Sequence, residues 1–488
     1  MQTTNKSVKK NIKNAVTVIL FLLSFTAFFS AEWYIKIFGI VGFRAIIFTL
    51  LSPLKGAASG IVTDWLIKGL LPSVICTVLL SLFFFLKFNL KKVFKKIICV
   101  IICVCLWLHG IAVTEIPLYL KGSILKTDIY NTEYMSPDNV KITFPKEKQN
   151  LIYILLESME TSYFSESEGG ALKQNVIPEL YSLAKENTNF SHTNGVGGWG
   201  FVTDTSWTVA AITAQTSGVP LNLPLMYTVP KPGSNHLPGI KTVNDVLHQN
   251  GYTQTVMFGS VGSYGGRKEY FTQHGVDKVL DYNTAKEDKI IEKDHFVWWG
   301  MEDKKLFMYA KKELLNLASG DKPFAFTMLT ADTHHISGYK CPDCTDKFDT
   351  QYENVLHCSS KRLGEFVDWI KSQPFYSNTT IVLVGDHLSM DQQFFTQNCD
   401  KDYNRHVYNC FINPKAKSES TKMRTFTPMD LFPTTLAALG CTIDGDRLGL
   451  GTNLFSNKKT LAEEITIEKL NGELNKTSDY YKNNFILK

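Results

Sequence analysis

Residues 150–158 read N-L-I-Y-I-L-L-E-S and residues 379–389 read T-T-I-V-L-V-G-D-H-L-S, and these two stretches decide the fold. Each opens on an apolar, partly β-branched run too short for a helix, the pattern of a strand buried on both faces. The first closes on Glu157 and the second on Asp386-His387. Charged groups just past buried strands are costly unless they are paired or meet a cation. An Asp-His pair with a distant Glu forms an oxygen and nitrogen shell suited to a divalent metal. The alternative is a carboxylate capping the next helix, with the histidine filling a turn.

Further strands are expected at 255–258, 323–329 and 407–412, and a short one at 189–191. Helices are expected at 177–187, 207–215, 243–250, 304–317, 359–372 and 429–439. Strands alternating with helices predict an α/β fold, a mainly parallel sheet with helices on both faces. In such sheets functional residues gather at the carboxyl ends of the strands. Residues 203–220, T-D-T-S-W-T-V-A-A-I-T-A-Q-T-S-G-V-P, run a hydroxyl-rich turn into a helix of small residues. A helix N-terminus suits a phosphate group, and a hydroxyl there touching a metal can ionise and attack phosphorus. Thr205 or Ser206 serving as an N-cap is compatible with that reading.

Outward from this domain, residues 119–149 read as a polar linker and the first 118 as a membrane module. Apolar runs at 15–34, 66–86 and 97–113 are each near the length that crosses a bilayer. The first run could instead be a cleaved signal peptide, but no small-residue cleavage site follows it. Lys6, Lys9, Lys10 and Lys13 precede the first span; Lys87, Lys91, Lys92, Lys95 and Lys96 separate the second from the third. Positive loops stay cytoplasmic, so three spans export the domain that follows. The apolar stretch 39–51, with Arg44 inside it and S-P-L-K-G at 52–56, reads as an interfacial or re-entrant helix rather than a fourth span. The overall balance of 51 basic and 46 acidic residues argues against a nucleic-acid partner.

Ten cysteines are present. Cys76, Cys99, Cys103 and Cys105 fall in apolar runs, where a small apolar role suffices. Of the others, C-P-D-C at 341–344 has no second close pair to complete a zinc site. One disulfide from Cys358 to Cys341 or Cys344, and one between Cys399 and Cys410, are expected of an exported domain.

With Y-I-L-L-E-S, F-S-H-T followed by W-T-V-A-A-I-T-A-Q-T-S-G-V-P-L, A-D-T-H-H and V-G-D-H-L-S-M in this order, residues 150–455 resemble the lipoteichoic acid synthase and phosphoglycerol transferase group of the sulfatase/alkaline phosphatase superfamily. The nearest likeness is to the periplasmic-glucan phosphoglycerol transferase type, which carries similar T-H-H and D-H-L-(small)-M stretches and a similar Gly-rich segment, here F-G-S-V-G-S-Y-G-G-R; the tail L-G-L-G-T-N-L-F is likewise similar to the family. The resemblance implies an alkaline-phosphatase-like fold, with Thr208 as nucleophile and Glu157, Asp386, His387 and the Thr208 oxygen as ligands of one divalent metal. Manganese or magnesium is implied, with zinc as the alternative. His334 falls where the family contacts the phosphate or protonates the leaving alkoxide, and Arg267 where a substrate-phosphate arginine occurs. Gly265 and Phe258 stand where the polymerising synthases carry Trp and His, which favours a single-transfer enzyme.

The implied reaction moves glycerol phosphate from phosphatidylglycerol to a cell-envelope glycan through a phospho-threonine, releasing diacylglycerol at the outer face of a bacterial membrane. A phosphoethanolamine transferase using phosphatidylethanolamine is the alternative. A catalytically dead glycan-binding homologue is the reading from another class. True sulfatases oxidise a residue in C/S-x-P-x-R, and S-W-T-V-A-A-I around Thr208 lacks that motif. His335, His357 and His406 either line the site or are structural, and His192, after the short strand, is given no role. Phe296, Trp298 and Trp299 are core or a glycan or acyl platform.

Overall fold

The computed structural model describes residues 2–39, 42–51, 59–86, 91–224, 235–418 and 420–487. Lys87, in the expected basic loop, and the S-P-L-K-G turn at 52–56 lie outside the described residues. The chain divides into two compact units, Met1–Phe43 with Ala58–Leu120, and Arg44–Ala57 with Lys121–Lys488.

The first unit holds three helices long and apolar enough to cross a membrane, Val8–Phe38, Val62–Phe85 and Lys92–Val113. We label α1 as Gln2–Phe38. Several polar side chains on these helices bond to one another. Trp33 Nε1 donates to Asp64 at 2.8 Å, Trp65 Nε1 to Ser30 at 3.0 Å and Trp107 Nε1 to Ser24 at 3.1 Å. Such pairing is what an apolar medium demands of polar side chains.

The second unit is built on a seven-stranded sheet. Its strands are β1 (Asn150–Leu156), β2 (Gly198–Trp199), β3 (Thr253–Phe258), β4 (Lys278–Leu280), β5 (Phe324–Leu329), β6 (Thr379–Gly385) and β7 (Val407–Ile412). Their order is β2-β7-β6-β1-β5-β3-β4. The five strands from β6 to β4 run parallel, whereas β7 is antiparallel to β6 and β2 to β7. Central strands β1, β5 and β6 are buried at every position, as their continuous apolar runs require. The expected α/β fold is therefore observed, with β2 and β4 added as short edges. The expected strand at 189–191 is absent; one bridge at Thr188 to Phe411 stands there. Asn189 instead spends its side chain on the carbonyls of Gly197 and Asn409.

The expected helices form, and the one placed at 359–372 begins eight residues earlier, at Gln351. There Thr350 caps the first turn and Glu353 returns the bond, a capping box the sequence reading passed over. The stretch read as a polar linker is folded. Its buried Ile129 and Tyr130 pack into the second unit, and Ile142–Thr143 pairs with Thr442–Ile443. Scattered charges hid these few apolar anchors. One disulfide joins Cys344 to Cys358. Cys399 and Cys410 are both free: Cys410 lies inside β7, with its Sγ directed to the Leu183 carbonyl. That expected bridge does not exist.

Helix α2, Phe43–Leu51, lies in sequence between the first two apolar helices, yet from Arg44 onward it belongs to the second unit.

Candidate functional site

Because β1, β5, β6 and β3 are parallel, the loops at their carboxyl ends open on one edge of the sheet. Glu157 follows β1, Asp386-His387 follows β6, His334 follows β5 and Arg267 ends the Gly-rich loop after β3. Thr208 is the first residue of α3, Thr208–Ser217, whose remaining positions are all buried. Ala210, Ala211 and Ala214 leave room for this helix to sink into the core. Its C-terminus ends on Gly218 at φ 67°, the left-handed cap only glycine adopts freely. Gln215 ties the helix to the site: Nε2 donates to the carbonyls of Gly385 and Asp386 at 3.0 and 3.1 Å.

Glu157, Asp386 and His387 are all buried, and one ligand atom from each lies within 4.8 Å of the others. The Thr208 hydroxyl stands 3.5 Å from Glu157 Oε2 and 3.4 Å from His387 Nε2. His387 Nδ1 donates to the Leu388 carbonyl at 2.8 Å, so Nε2 carries the lone pair and faces the two carboxylates. Asp386 Oδ1 accepts from the amides of Ser158 and His387, each at 2.8 Å. Its Oδ2 is buried without a hydrogen bond. Ser158 Oγ donates to Glu157 Oε1 at 2.7 Å, leaving Oε2 toward Thr208. Burial first, and the Asp386 charge second, push the Glu157 carboxyl well above the usual range. Two buried carboxylates, a lone pair and an orphaned oxygen converging on one point fit a divalent cation. Glu157, Asp386, which carries the orphaned oxygen, His387 and the Thr208 hydroxyl together make four donors.

Arg267 is buried, and its guanidinium is positioned by donors already spent. Nε donates to the Tyr264 carbonyl at 3.0 Å, and Nη2 to Ser260 Oγ and the Val261 carbonyl, both at 2.9 Å. Its carbon lies 4.7 Å from the Phe258 ring centre. Nη1 has no protein acceptor among the described residues. Burial lowers the guanidinium to about 10, and the neighbouring Glu157 charge acts against that. His334 also feels Arg267 and His387; burial, with those charges, lowers it to about 4. His334 Nδ1 donates to the His335 carbonyl at 2.7 Å, so its Nε2 is an acceptor. The Trp299 ring packs 4.5 Å from His334, whereas Phe296 is exposed.

Thus Glu157, Thr208, Asp386 and His387 come into mutual reach, and Arg267 and His334 are coupled to them electrically. His357 bonds to the Val176 carbonyl at 3.2 Å, and His192 stacks on His406 with ring centres 3.4 Å apart. Sequence reasoning missed Ser158, Ser260 and Gln215, which orient the ligands and the arginine. Nothing in their spacing marks them, because their partners are 1 to 171 residues away.

Comparison with known proteins places the chain in a family. Two proteins called phosphoglycerol transferase I match at 29% identity. The one from Salmonella choleraesuis (strain SC-B67) aligns over 65% of this chain and 40% of its own length, and the one from Escherichia coli O6:K15:H31 over the same shares. The chain thus spans about two fifths of these relatives. A solved structure of an alkaline phosphatase superfamily protein from Vibrio parahaemolyticus superposes with a TM-score of 0.51 at 22% identity. It covers 68% of this chain and 76% of that one, and the likeness is one of fold. The family model described as Sulfatase matches residues 149–441, from the residue before β1 to the one before the Thr442–Ile443 pairing, and the chain belongs to the sulfatase family.

Proposed function

We propose that this chain is a membrane-anchored, metal-dependent transferase that moves glycerol phosphate from phosphatidylglycerol to a cell-envelope glycan. Thr208 is the nucleophile, and diacylglycerol is the leaving group. One observation carries the reading: a hydroxyl at a helix N-terminus, 3.4 and 3.5 Å from a buried histidine and a buried carboxylate. The name shared by the two relatives supports the transferred group.

Glu157, Asp386, His387 and Thr208 Oγ would hold one divalent ion, Mn2+ or Mg2+ with Zn2+ as alternative, which supplies a lowered hydroxyl pKa and neutralises developing charge. Arg267 Nη1 and the first-turn amides of α3, which have no intrahelical acceptor, bind the phosphate oxygens. Thr208 Oγ attacks phosphorus, the ester bond to diacylglycerol breaks, and the leaving alkoxide takes the proton that left Thr208. A sugar hydroxyl then attacks the glycerophosphoryl-threonine, and Thr208 is restored. His334, neutral and with its Nε2 lone pair available, receives the acceptor's proton and passes it to the departing threonine oxygen. Splitting the transfer in two makes the kinetics ping-pong.

The membrane module we propose comprises residues 1–118 with three transmembrane helices, the catalytic domain being extracytoplasmic. The ion pair of Arg44 with Asp204 supports this. It joins the loop between the first two spans to the domain after the third, so both lie on one side of the bilayer. A crossing by residues 39–51 would put Arg44 in hydrocarbon instead. The lysines before the first span and around Lys91–Lys96 assign that side as the outside.

The test is release of labelled diacylglycerol from phosphatidylglycerol vesicles by native protein and Thr208→Ala, with and without Mn2+. Metal-dependent release that falls by on the order of 10³-fold or more in the variant is expected. Equal release by the variant would exclude Thr208 as nucleophile, and release only from phosphatidylethanolamine vesicles would change the donor.

A further inference from the structure

Helix α2 packs one face against turns that lead into the candidate site. Arg44 Nη1 donates to Asp204 Oδ2 at 2.8 Å and to Asn475 Oδ1 at 3.3 Å, and Nη2 donates to the Asn475 carbonyl at 3.1 Å. Both ends of the ion pair are buried, the side chains being 8% and 6% exposed. One helical turn on, Phe48 is buried, with its ring 5.9 Å from that of Trp207. Phe48 also lies over Gly265, where a Cβ would meet its ring at 3.6 Å and Val209 Cγ2 at 2.7 Å. Arg44 and Phe48 thus grip two turns at once. Asp204 and Trp207 belong to the turn that delivers Thr208, and Gly265 to the turn that delivers Arg267.

Neither turn is held by a regular ladder. Asp204 sits at φ 59°, a conformation that neighbouring contacts must hold in a residue with a side chain, whereas Gly265 at φ 66° reaches it freely. Burial raises the Asp204 carboxyl and Arg44 opposes it, so the pair stabilises the charged form of a group the turn cannot leave unpaired.

Resting on the reading of Thr208 as nucleophile, we propose that Arg44 and Phe48 are positioning residues. They clamp the Asp204–Thr208 turn against the Gly265–Arg267 turn, so that the Thr208 hydroxyl and Arg267 Nη1 address the same phosphodiester. The catalytic centre is then assembled only when a segment that lies between two membrane helices in sequence docks on the domain. This gives the anchor a part in chemistry as well as in location.

The test uses the full-length protein in phosphatidylglycerol mixed micelles, as native, Arg44→Ala, Arg44→Lys, Asp204→Asn and the Arg44→Ala/Asp204→Asn double variant. Misplacement by about an ångström costs on the order of 10²-fold, so Arg44→Ala is expected to lower kcat by about that factor. Mn2+ affinity should stay within about threefold, because Glu157, Asp386 and His387 do not touch Arg44. Arg44→Lys, which keeps the charge, should recover at least about a tenth of native kcat, and the double variant should lose no more than the worse single one. Hydrogen exchange should accelerate at amides 203–210 and 262–268, with strands β1 and β6 unchanged. Unchanged exchange with unchanged kcat in Arg44→Ala overturns the proposal. So does acceleration spread over the whole sheet with loss of Mn2+ binding, which marks a pair that merely stabilises the fold. If native protein releases no diacylglycerol yet exchange rises only in the two turns, the lipid-donor reading fails and the clamp stands.

Discussion

Replacing Glu157 by Gln separates two roles of the buried carboxylate by the sign of its effect. With ligand atoms within 4.8 Å, ionised Glu157 and Asp386 repel by about 3.5 kcal/mol at an effective dielectric of about 20. Burial first, and the Asp386 charge second, both disfavour the ionised Glu157 carboxyl when no metal is bound, which is the direction of its raised pKa. Glutamine keeps an acceptor for Ser158 Oγ and removes the charge, so the metal-free variant should unfold at the native temperature or above it. The metal response should move the other way. At a Mn2+ concentration 100 times Kd the native protein gains about 2.7 kcal/mol, and the variant, short of one anionic ligand, should gain little. Thermal unfolding of detergent-solubilised protein in EDTA and in Mn2+ reads both effects. An undiminished Mn2+ shift in the variant would remove Glu157 from the shell. A metal-free variant clearly less stable than native would show that the carboxylate acts mainly as a hydrogen-bond acceptor, and the repulsion argument would be refuted.

Gly265→Ala should cost about 1–2 kcal/mol for the left-handed backbone alone, with more from a Cβ 2.7 Å from Val209 Cγ2; a melting temperature equal to native would contradict this. Peptide mapping of non-reduced protein should recover Cys344 linked to Cys358, with Cys399, Cys410 and Cys441 alkylated only after unfolding, since all three are at least partly buried. The Cys341 thiol, 3.2 Å from Cys344 Sγ, should pair with Cys358 in Cys344→Ser; a variant with no disulfide would contradict that. Burial lowers His236 to about 3 and His406 to about 4, from an ordinary 6.5. The unfolded chain therefore binds protons between about pH 6.5 and 4 that the folded one refuses, and stability present above 6.5 is lost as pH falls through that window. Urea unfolding across it checks the direction, and His236→Gln should flatten the slope.

The sequence alone determined the parallel core of the sheet. Runs such as I-Y-I-L-L and I-V-L-V are short and rich in β-branched residues, which favours a buried strand over a helix, and the apolar helices near the N-terminus are equally plain. It also placed Glu157, Asp386 and His387 at the ends of readable strands, whereas Thr208 was singled out among several hydroxyls only by the family resemblance. The edge strands Gly198–Trp199 and Lys278–Leu280 were illegible: two or three residues carry no period, and the sheet beside them decides their conformation. The linker reading failed for the same reason at Ile129 and Tyr130, where a few buried anchors outweigh a polar composition. The Cys399–Cys410 bridge failed because proximity in sequence says nothing of a thiol that strand β7 turns toward Leu183. What only the tertiary structure decided is how the site is held: Gln215 on the Asp386 carbonyl, Ser260 on Arg267, and above all Arg44 on Asp204 across 160 residues. Local pattern reports a residue's own element, whereas a buried charge is satisfied by whichever partner the packing brings to it.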